Sequence, residues 1–577
     1  MIRPDPRAWL LASLIVVSAL YGLAPHRVSD ADALSRLAMG RLLSGATYPA
    51  AEQSSQPALS LPASDPFTFA NPGARFGDPE WLGDLGLYAL YTRLGETGLQ
   101  AGALVIASAG YVLSIGLGLA FGASPASLTA MLLCTLPAAA ARVAARNDLH
   151  MWWLLPLFAW IAASTAAQPR RFGWLLLLGW LWANLHSSFV LGLPLMAAAI
   201  ADLPDRRQRL PWIAVGCYPL LPWLGLSGAS SYAQLIDHLL GGATYRGLLS
   251  EWQSPLSSSG LLAIAPLHLL FVLGALSVWR RRREASWLQI AMFAGASALA
   301  YGSRRFLPLT AALMVPVIAV HVSRLGSGGR LVQRRTLSAI AVIVAGIYVA
   351  LGLRSVNHRV VASVFGRPET PERAARFIAA HARAGSRLAN VFNDGPWLLW
   401  FSAPRVRHYL DPRNNLGAPV LAHYIDEVLA DPTSFEAEAK RLNISLALMR
   451  ARDPRSASLA SYLTNAPNWP LIYWDGYHAL HARADREQTL IEHFAYRKVR
   501  PQFDLSYLDG RMNDPALERD LKRLEQETPP VAQAIRAYQA LVAGDAIRAA
   551  AGFEAALPEL PESRELLTYW ARSLRPR

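Results

Sequence analysis

Long apolar runs recur through the first 350 residues or so and alternate with short polar segments. The first run, Trp9–Leu23, follows Arg3 and Arg7, and runs of about 17–22 apolar residues suit helices that cross a bilayer. The pattern predicts eleven spans, at about 8–24, 98–121, 125–142, 150–167, 172–184, 187–203, 210–226, 260–278, 285–302, 305–322 and 336–354. The chain is therefore expected to begin with a polytopic α-helical membrane domain.

Charge resolves the segments whose placement the apolar pattern leaves open. Trp81–Leu94 is short and carries Asp84 and Arg93, so we interpret it as an amphipathic helix lying along the interface. Residues 172–203 are interpreted as two short helices with a polar tip at Asn184–His186. This threading places the basic segments on one side, as the positive-inside rule requires. Those segments are Pro169–Arg171, Asp205–Arg209, Arg280–Arg283 and Arg324–Arg335.

The first apolar run has two interpretations. It follows basic residues, as the apolar core of a cleaved signal peptide would. Many further spans come after it, and no convincing small-residue cleavage site follows it. We therefore expect an uncleaved signal-anchor.

From about residue 355 the apolar runs stop and charged residues become frequent. Short apolar strands alternate with amphipathic helices, which predicts a layered α/β sheet, and Asp475-Gly476 marks a hairpin turn. Residues 537–561 resemble one tetratricopeptide unit, which cannot form a solenoid alone. We expect the tail to pack onto the α/β domain, with a partner-docking helical pair as the alternative. The predicted organisation is a membrane domain over 1–354 with a first external loop over 25–97, a soluble extracytoplasmic α/β domain over 355–512, and a helical tail over 513–577.

The net charge of +14 does not indicate nucleic-acid binding. The tightest basic cluster, Arg280–Arg283, directly follows an apolar run, where arginines anchor the cytoplasmic end of a helix. Cys134 and Cys217 both lie within apolar runs, so no disulfide framework is expected.

In this predicted topology, polar residues lie on the outward side of the membrane, whereas the cytoplasmic side carries mainly arginine anchors. Ionisable groups near membrane depth are costly and usually line a cavity or a site. We therefore expect a catalytic or binding cavity that opens outward. Its candidate residues are Asp30, Asp32, Asp65, the segment Arg142–Asp148 with Arg146, Asn184, His186, Glu251, Arg304 and Arg305.

Several spaced motifs carry a resemblance to a known family. They are Asp30-Ala-Asp32 with Gly40-Arg41, Asp65-Pro-Phe-Thr-Phe69, Glu80-Trp-Leu82, Leu181–His186 with Phe189, Glu251–Pro255, Arg304/Arg305 and Val406–Arg413. In these motifs the chain resembles the GT-C fold membrane glycosyltransferases, in particular bacterial enzymes that depend on polyprenyl-phosphate sugars. It departs from them at Ser35-Arg36, where relatives often carry Trp-His, and at Pro79, where they carry His.

The resemblance implies transfer of a sugar from a polyprenyl-phosphate donor to a glycan, lipid or protein acceptor at the outer face of the bacterial inner membrane. Asp30 or Asp32 would be catalytic, taking a proton or holding a divalent cation such as Mg²⁺ or Mn²⁺. Substrate would be bound by Asp65, Arg146, Asn184, His186, Glu251, Arg304 and Arg305, with the arginines stabilising the departing lipid phosphate.

Structural explanations exist for several of these residues. Asp30 can cap a helix that starts near Ala31, Glu80 can be a solvated charge, and Asp411 can pair with Arg413. Two other functions stay open. One is a transporter or flippase of a lipid-linked or anionic solute, although no broken-helix pair recurs in two halves of the chain. The other is a non-catalytic protein of envelope glycan assembly.

The threading makes a topological prediction. The loop 25–97 and the residues beyond 355 should face the exterior, because only this orientation keeps the basic loops cytoplasmic. Reporter fusions after Ala58 and Gly510 should both give an extracytoplasmic signal, and a fusion after Arg207 should give a cytoplasmic one. A cytoplasmic signal at either of the first two positions would contradict the shared outward surface.

Overall fold

A computed structural model describes residues 4–46, 57–71, 76–257, 265–323, 339, 341–350, 363, 365–413, 416–450, 453–560 and 567–568. These residues form two compact units. Unit 1 comprises the described residues of Met1–Ala46, Gln56–Leu61 and Phe76–Ser363, and unit 2 those of Pro62–Arg75 and Val364–Arg577. The predicted basic segment Arg324–Arg335 and both ends of the predicted span 336–354 lie outside the described residues.

The regular secondary structure in the described residues of unit 1 consists of helices. Its helices are α1 (Pro6–Leu23), α2 (Asp32–Leu43), α3 (Trp81–Ala120), α4 (Pro125–Ala140), α5 (His150–Ser164), α6 (Phe172–Leu185), α7 (Gly192–Ala201), α8 (Arg209–Cys217), α9 (Ser230–Leu240), α10 (Gly242–Leu248), α11 (Ala265–Arg280), α12 (Trp287–Gly302), α13 (Val315–Ser323) and α14 (Ala341–Ala350). Short 3-10 turns, among them Asn147–Leu149, Ser187–Leu191, Ser250–Trp252 and Arg304–Phe306, connect them.

The helix breaks fall where the charge pattern predicted them. Gly95 has a φ of 64° inside α3 and separates Trp81–Leu94 from the more apolar part of the helix. His186 is extended, with φ −163° and ψ 141°, and divides α6 from the turn before α7. Helices α9 and α10 have no counterpart in the prediction.

Among the described residues, α1 and α3 are long and apolar enough to cross a membrane, judged by length and composition alone. Several other apolar helices contain only 10–17 residues. The number of eleven spans therefore stays a prediction.

The outer surface of unit 1 is strongly apolar. All but two of the exposed large hydrophobic side chains in the described residues belong to this unit, and the two exceptions are Val542 and Ile547. Many exposed apolar side chains on one unit are typical of a surface that contacts lipid or a partner. Together with the hydropathy pattern, it supports a location in the membrane.

Unit 2 contains a mixed five-stranded sheet covered by helices. The strands are β1 (Arg387–Asn390), β2 (Arg407–His408), β3 (Leu446–Arg450), β4 (Leu471–Trp474) and β5 (His478–Ala482), in the order β2-β1-β3-β5-β4. Strand β1 runs parallel to β2 and β3, whereas β5 runs antiparallel to β3 and β4. The helices are α15 (Glu372–His381), α16 (Gly395–Phe401), α17 (Ala418–Ala422), α18 (Pro432–Arg441), α19 (Ala457–Asn465), α20 (Gln488–Phe494), α21 (Pro515–Glu527), α22 (Pro529–Val542) and α23 (Ala546–Ala556).

The α/β architecture and the hairpin agree with the sequence pattern. Gly476 adopts a φ of 93° in the turn, and Asp475 Oδ1 accepts the backbone N–H groups of Tyr477 and His478 at 2.9 and 2.7 Å. The helical tail is not separate, because α21–α23 share a buried core with Trp474 and Tyr477. Residues after 513 therefore belong to unit 2.

Part of the predicted external loop also belongs to unit 2. Thr68 forms a parallel bridge with His408 of β2. Arg413 Nη2 lies 3.0 Å from Asp65 Oδ2. The Arg413 guanidinium also lies over the Phe67 ring, 4.9 Å from its centroid. The loop 25–97 is thus divided between the two units, because its Asp65 motif pairs with residues distant in sequence.

Candidate functional site

The candidate site in unit 1 includes the region where α2 and α3 pack closely together. A Cβ added at Gly40 of α2 would overlap the Asp84 carbonyl oxygen and the Tyr88 Cβ, so a glycine is needed there. One turn earlier on α2, Arg36 Nη1 lies 3.0 Å from Glu80 Oε2 and 3.6 Å from Asp84 Oδ2. Helix packing thereby places a cation against two carboxylates at the start of α3.

A second group of charges surrounds Arg146, just before the Asn147–Leu149 turn. Arg146 Nη1 lies 2.8 Å from Asp30 Oδ2, and Nη2 lies 2.9 Å from Asp32 Oδ2. Arg146 Nη1 is also 3.5 Å from Glu251 Oε2, and Nε is 4.0 Å from Asp148 Oδ1. One guanidinium therefore joins carboxylates from three separate segments of the chain.

Two more arginines complete what we call the arginine–carboxylate cluster. Arg142 contacts Glu251 Oε2 at 2.9 Å and Asp148 Oδ2 at 3.1 Å, while Arg305 Nη1 lies 3.8 Å from Glu251 Oε1. The Arg305 guanidinium lies over the Trp252 ring at 4.7 Å from its centroid. The cluster consists of Asp30, Asp32, Arg142, Arg146, Asp148, Glu251 and Arg305.

Backbone contacts hold the late segments of this cluster together. Ser303 Oγ donates to the Glu251 carbonyl at 2.9 Å, and the Arg304 N–H donates to the Gln253 carbonyl at 3.0 Å. The turns at Ser250–Trp252 and Arg304–Phe306 are thereby fixed side by side. Glu251 and Arg305 consequently reach the same cluster although 54 positions separate them.

The two aspartates of the first loop have different surroundings. Asp30 Oδ1 accepts the backbone N–H of Asp32 at 3.0 Å, so this side chain initiates α2 in addition to binding Arg146. Asp32 is the first residue of α2, its side chain is 25% exposed, and Oδ1 has no hydrogen bond with any described residue. Asp32 therefore has one carboxylate oxygen open to a ligand, whereas both oxygens of Asp30 are engaged.

The pKa values reflect this arrangement. Burial raises the pKa of Asp32, Arg146 lowers it and the charge of Asp30 raises it again, with a net pKa of about 6. Burial also raises the pKa of Glu251, but Arg146, Arg305 and Arg142 outweigh it and lower the pKa to about 2. Near neutral pH, Glu251 is a fixed anion and Asp32 can exchange a proton.

A buried network around Glu80 lies next to this cluster. Asn147 Nδ2 donates to Glu80 Oε2 at 3.3 Å and also to Asp84 Oδ1, and His186 Nε2 lies 3.4 Å from Glu80 Oε1. The backbone N–H of Ser188 donates to His186 Nδ1 at 3.1 Å, so a neutral His186 carries its proton on Nε2, facing Glu80. Glu80 is only 7% exposed, and its interpretation as a solvated charge was therefore wrong.

Sequence reasoning gave Glu80 and Arg36 no role in the site, and it included Asn147 only as part of the segment Arg142–Asp148. The sequence marks Arg36 only as a departure from the GT-C resemblance. One signal was available, because Glu80 and Asp84 are spaced one helical turn apart and share a face. Their partner on α2 could not be identified without knowing that α2 and α3 meet at Gly40.

The remaining candidates lie in other settings. Asn184 accepts from Trp81 Nε1 at 2.6 Å and donates to the Trp180 carbonyl at 2.8 Å, so both ends of its amide have protein partners. Asp65 belongs to unit 2 and is paired with Arg413. Arg304 is half-buried, and its side chain has no ion pair with the described residues. The roles of these residues toward substrate stay predictions.

Several buried polar atoms of the two networks have no hydrogen-bond partner within the described part of the chain. Such atoms are rare in folded proteins and point to water or a ligand that completes them. They are Asp84 Oδ2, Asn147 Oδ1, Asp148 Oδ1, Trp252 Nε1 and Arg305 Nε.

The aspartate pair does not fit a divalent cation in this arrangement. Both Oδ2 atoms contact Arg146, and Asp30 Oδ1 accepts a backbone N–H. Within the residues that the structure describes, no three His, Cys, Asp or Glu side chains are grouped so that they could hold a metal ion.

Comparison with solved structures finds two to which the chain is similar. It resembles the archaeal oligosaccharyltransferase AglB from Archaeoglobus fulgidus, solved with an inhibitory peptide and a dolichol-phosphate, at 12% identity over 79% of this chain and 70% of that one, with a TM-score of 0.49. It also resembles ArnT from Cupriavidus metallidurans bound to undecaprenyl phosphate, at 14% identity over 82% of this chain and 97% of that one, with a TM-score of 0.47. No family model and no curated protein matches the chain.

Identities of 12–14% do not carry residue roles from one chain to another. The role of each residue in this protein is therefore inferred from its own contacts, burial and charge.

The close approach of α2 and α3 yields a testable prediction. Gly40→Ala should lower the free energy of unfolding by roughly 1 to 3 kcal/mol, because the added methyl meets backbone that cannot rotate away. It should also reduce any activity, since Arg36 would shift relative to Glu80. Thermal unfolding of the purified protein measures the first effect.

Gly86→Ala is the matched control on α3. A Cβ there meets nothing within 4 Å, so alanine should leave stability unchanged or raise it by about 0.5 to 1 kcal/mol. Equal unfolding temperatures for the two variants would contradict the close packing at Gly40.

Proposed function

We propose that the protein is a membrane glycosyltransferase that moves a sugar from a polyprenyl-phosphate-linked donor to an acceptor on the outer face of the bacterial inner membrane. The observation that carries the proposal is the open Oδ1 of Asp32, held beside Arg146 at the edge of the arginine–carboxylate cluster. A glycosyl transfer from such a donor needs a base for the acceptor hydroxyl and cations for the departing phosphate. The cluster offers both within one small region.

Asp32 is the base in this proposal. Its Oδ1 takes the proton of the acceptor hydroxyl while the acceptor oxygen forms a bond to the anomeric carbon. The bond between that carbon and the phosphate oxygen breaks, and the phosphate leaves with the electron pair. The products are the glycosylated acceptor and polyprenyl phosphate, and the proton on Asp32 returns to solvent. A pKa of about 6 suits this role near neutral pH.

Arg304 is the proposed contact for the donor phosphate. It lies next to Arg305, whose guanidinium is already engaged by Glu251 and stacked on Trp252. Arg304 has no ion pair with the described residues, so its charge is available to a ligand. The unpartnered buried atoms around the cluster also support a bound polar ligand there.

The donor class rests on the GT-C resemblance of the sequence motifs, Asp30-Ala-Asp32 and Arg304/Arg305 among them. The acceptor is a hydroxyl group of a glycan, lipid or protein. The orientation, with a cytoplasmic N-terminus and an extracytoplasmic unit 2, is inferred from the basic segments in the sequence.

Two substitutions distinguish the roles of the aspartates, with Asp32 proposed as the base and Asp30 as the residue that initiates α2. Asp32→Asn should leave the protein folded and reduce sugar transfer by roughly 10²-fold or more, because asparagine cannot accept the proton. Asp30→Asn should retain most of that activity, since an amide oxygen can still accept the Asp32 N–H. Turnover of purified protein with a pool of polyprenyl-phosphate sugars measures both effects.

Arg304→Ala supplies the complementary measurement. It should weaken donor binding, with a smaller effect on the rate at saturating donor, because a charge-assisted contact to phosphate is lost. Arg207→Ala, an exposed arginine near the predicted cytoplasmic side, is the control. Donor binding without turnover in the unmodified protein would favour a transporter or flippase instead.

The raised pKa of Asp32 sets the expected pH dependence. The ionised form is required, so kcat/KM should be level above about pH 7 and fall about tenfold per pH unit below about pH 6. Asp30→Asn removes a charge that raises this pKa and should therefore move the acid limb to lower pH. An unchanged or upward-moved limb in that variant would contradict the assignment of the limb to Asp32.

A further inference from the structure

Arg146 occupies the position between Asp30 and Asp32 that a divalent cation shared by these two carboxylates would need. Its two terminal nitrogens lie 2.8 Å from Asp30 Oδ2 and 2.9 Å from Asp32 Oδ2. The guanidinium thus bridges the two side chains, and each carboxylate has one oxygen directed at it. A metal ion shared by this pair would need the same two oxygens.

The remaining carboxylate oxygens of Asp30 and Asp32 do not form a second metal site. Asp30 Oδ1 accepts the backbone N–H of Asp32 at 3.0 Å, which leaves Asp32 Oδ1 as the one open oxygen of the pair. Magnesium and manganese sites use several oxygen ligands in near-octahedral geometry. A single carboxylate oxygen cannot hold either ion tightly.

The guanidinium is itself firmly held. Glu251 Oε2 lies 3.5 Å from Nη1, and Asp148 Oδ1 lies 4.0 Å from Nε. The surrounding carboxylates also keep the group permanently cationic. Its planar, forked donors match two carboxylates at once, which an ammonium group cannot do.

We propose that Arg146 is the resident cation of this site and that the protein works without a divalent metal ion. Arg146 orients Asp30 and Asp32 and offsets their mutual repulsion, so it is a positioning residue that acts through Asp32. The part of this inference that concerns turnover rests on the proposed glycosyl transfer. The part that concerns metal binding does not.

Metal binding is tested first, on the full-length purified protein with Mn²⁺ alone as the probe. Electron paramagnetic resonance should show no stoichiometric Mn²⁺ binding to the unmodified chain. Arg146→Ala frees both Oδ2 atoms and should create a Mn²⁺ site that is lost again in the double variant with Asp32→Asn. Arg142→Ala is the matched control, because Arg142 contacts Asp148 and Glu251 but neither aspartate of the pair.

Turnover is tested second. Transfer by the unmodified protein should be unchanged after treatment with EDTA, and Arg146→Ala should lose about 10²-fold or more. Free guanidinium at low millimolar concentration should restore part of that loss, whereas it should have no effect on Asp32→Asn. Such rescue would not occur if Arg146 served only to stabilise the fold.

The outcomes are distinguishable. Stoichiometric Mn²⁺ binding by the unmodified protein, or loss of transfer with EDTA that Mg²⁺ or Mn²⁺ restores, would overturn the inference. If no donor supports transfer, the proposed function fails, but the comparison of Mn²⁺ binding still decides the role of Arg146. If Arg146→Ala does not fold, Arg146→Lys replaces it, with weaker transfer and no Mn²⁺ site expected.

Discussion

The guanidinium of Arg146 is the contact on which the site depends. Four carboxylates and three arginines share the arginine–carboxylate cluster, and each of these ions loses hydration when the helices pack. Desolvating an ion costs several kcal/mol, which only close partners of opposite charge offset. The positions of the first loop, the turn before α5 and the two late turns are therefore mutually constrained.

This constraint also separates the two aspartates chemically. Both contact the same guanidinium, but Asp30 additionally initiates α2 and is fully engaged, whereas Asp32 keeps an oxygen open. The structural and functional explanations of Asp30-Ala-Asp32 are thus compatible, one applying to each residue. Burial, and to a smaller extent the like charge of Asp30, then raise the pKa of the open carboxylate of Asp32.

The Asn147–Leu149 turn connects this cluster to the Glu80 network. Asp148 pairs with Arg142, while the adjacent Asn147 donates to Glu80 and Asp84. Unit 2 contains a similar arrangement, since Arg413 contacts both Asp411 and Asp65. This contact holds the segment around Asp65 near β2, although the two are far apart in sequence. In each unit, one arginine between two carboxylates joins parts of the chain that are far apart in sequence.

Local pattern determined much of the secondary structure. Apolar runs and basic flanks marked most helices of unit 1, though not α9 and α10, and the breaks near Gly95 and His186. The alternation after residue 370 marked the sheet with its Asp475-Gly476 turn. These features depend on residues within a few positions of one another. For that reason the sequence alone could predict them.

Long-range pairing was decided by the tertiary structure. The sequence indicated that Asp30, Asp32, Arg146, Glu251 and Arg305 belong to one polar surface, but it could not show that Arg146 occupies the position between the aspartates. Nor could it show that Glu80 is buried or that Asp65 belongs to unit 2. Which partner a buried charge finds is settled by helix packing over a hundred or more residues, and no local pattern encodes that choice.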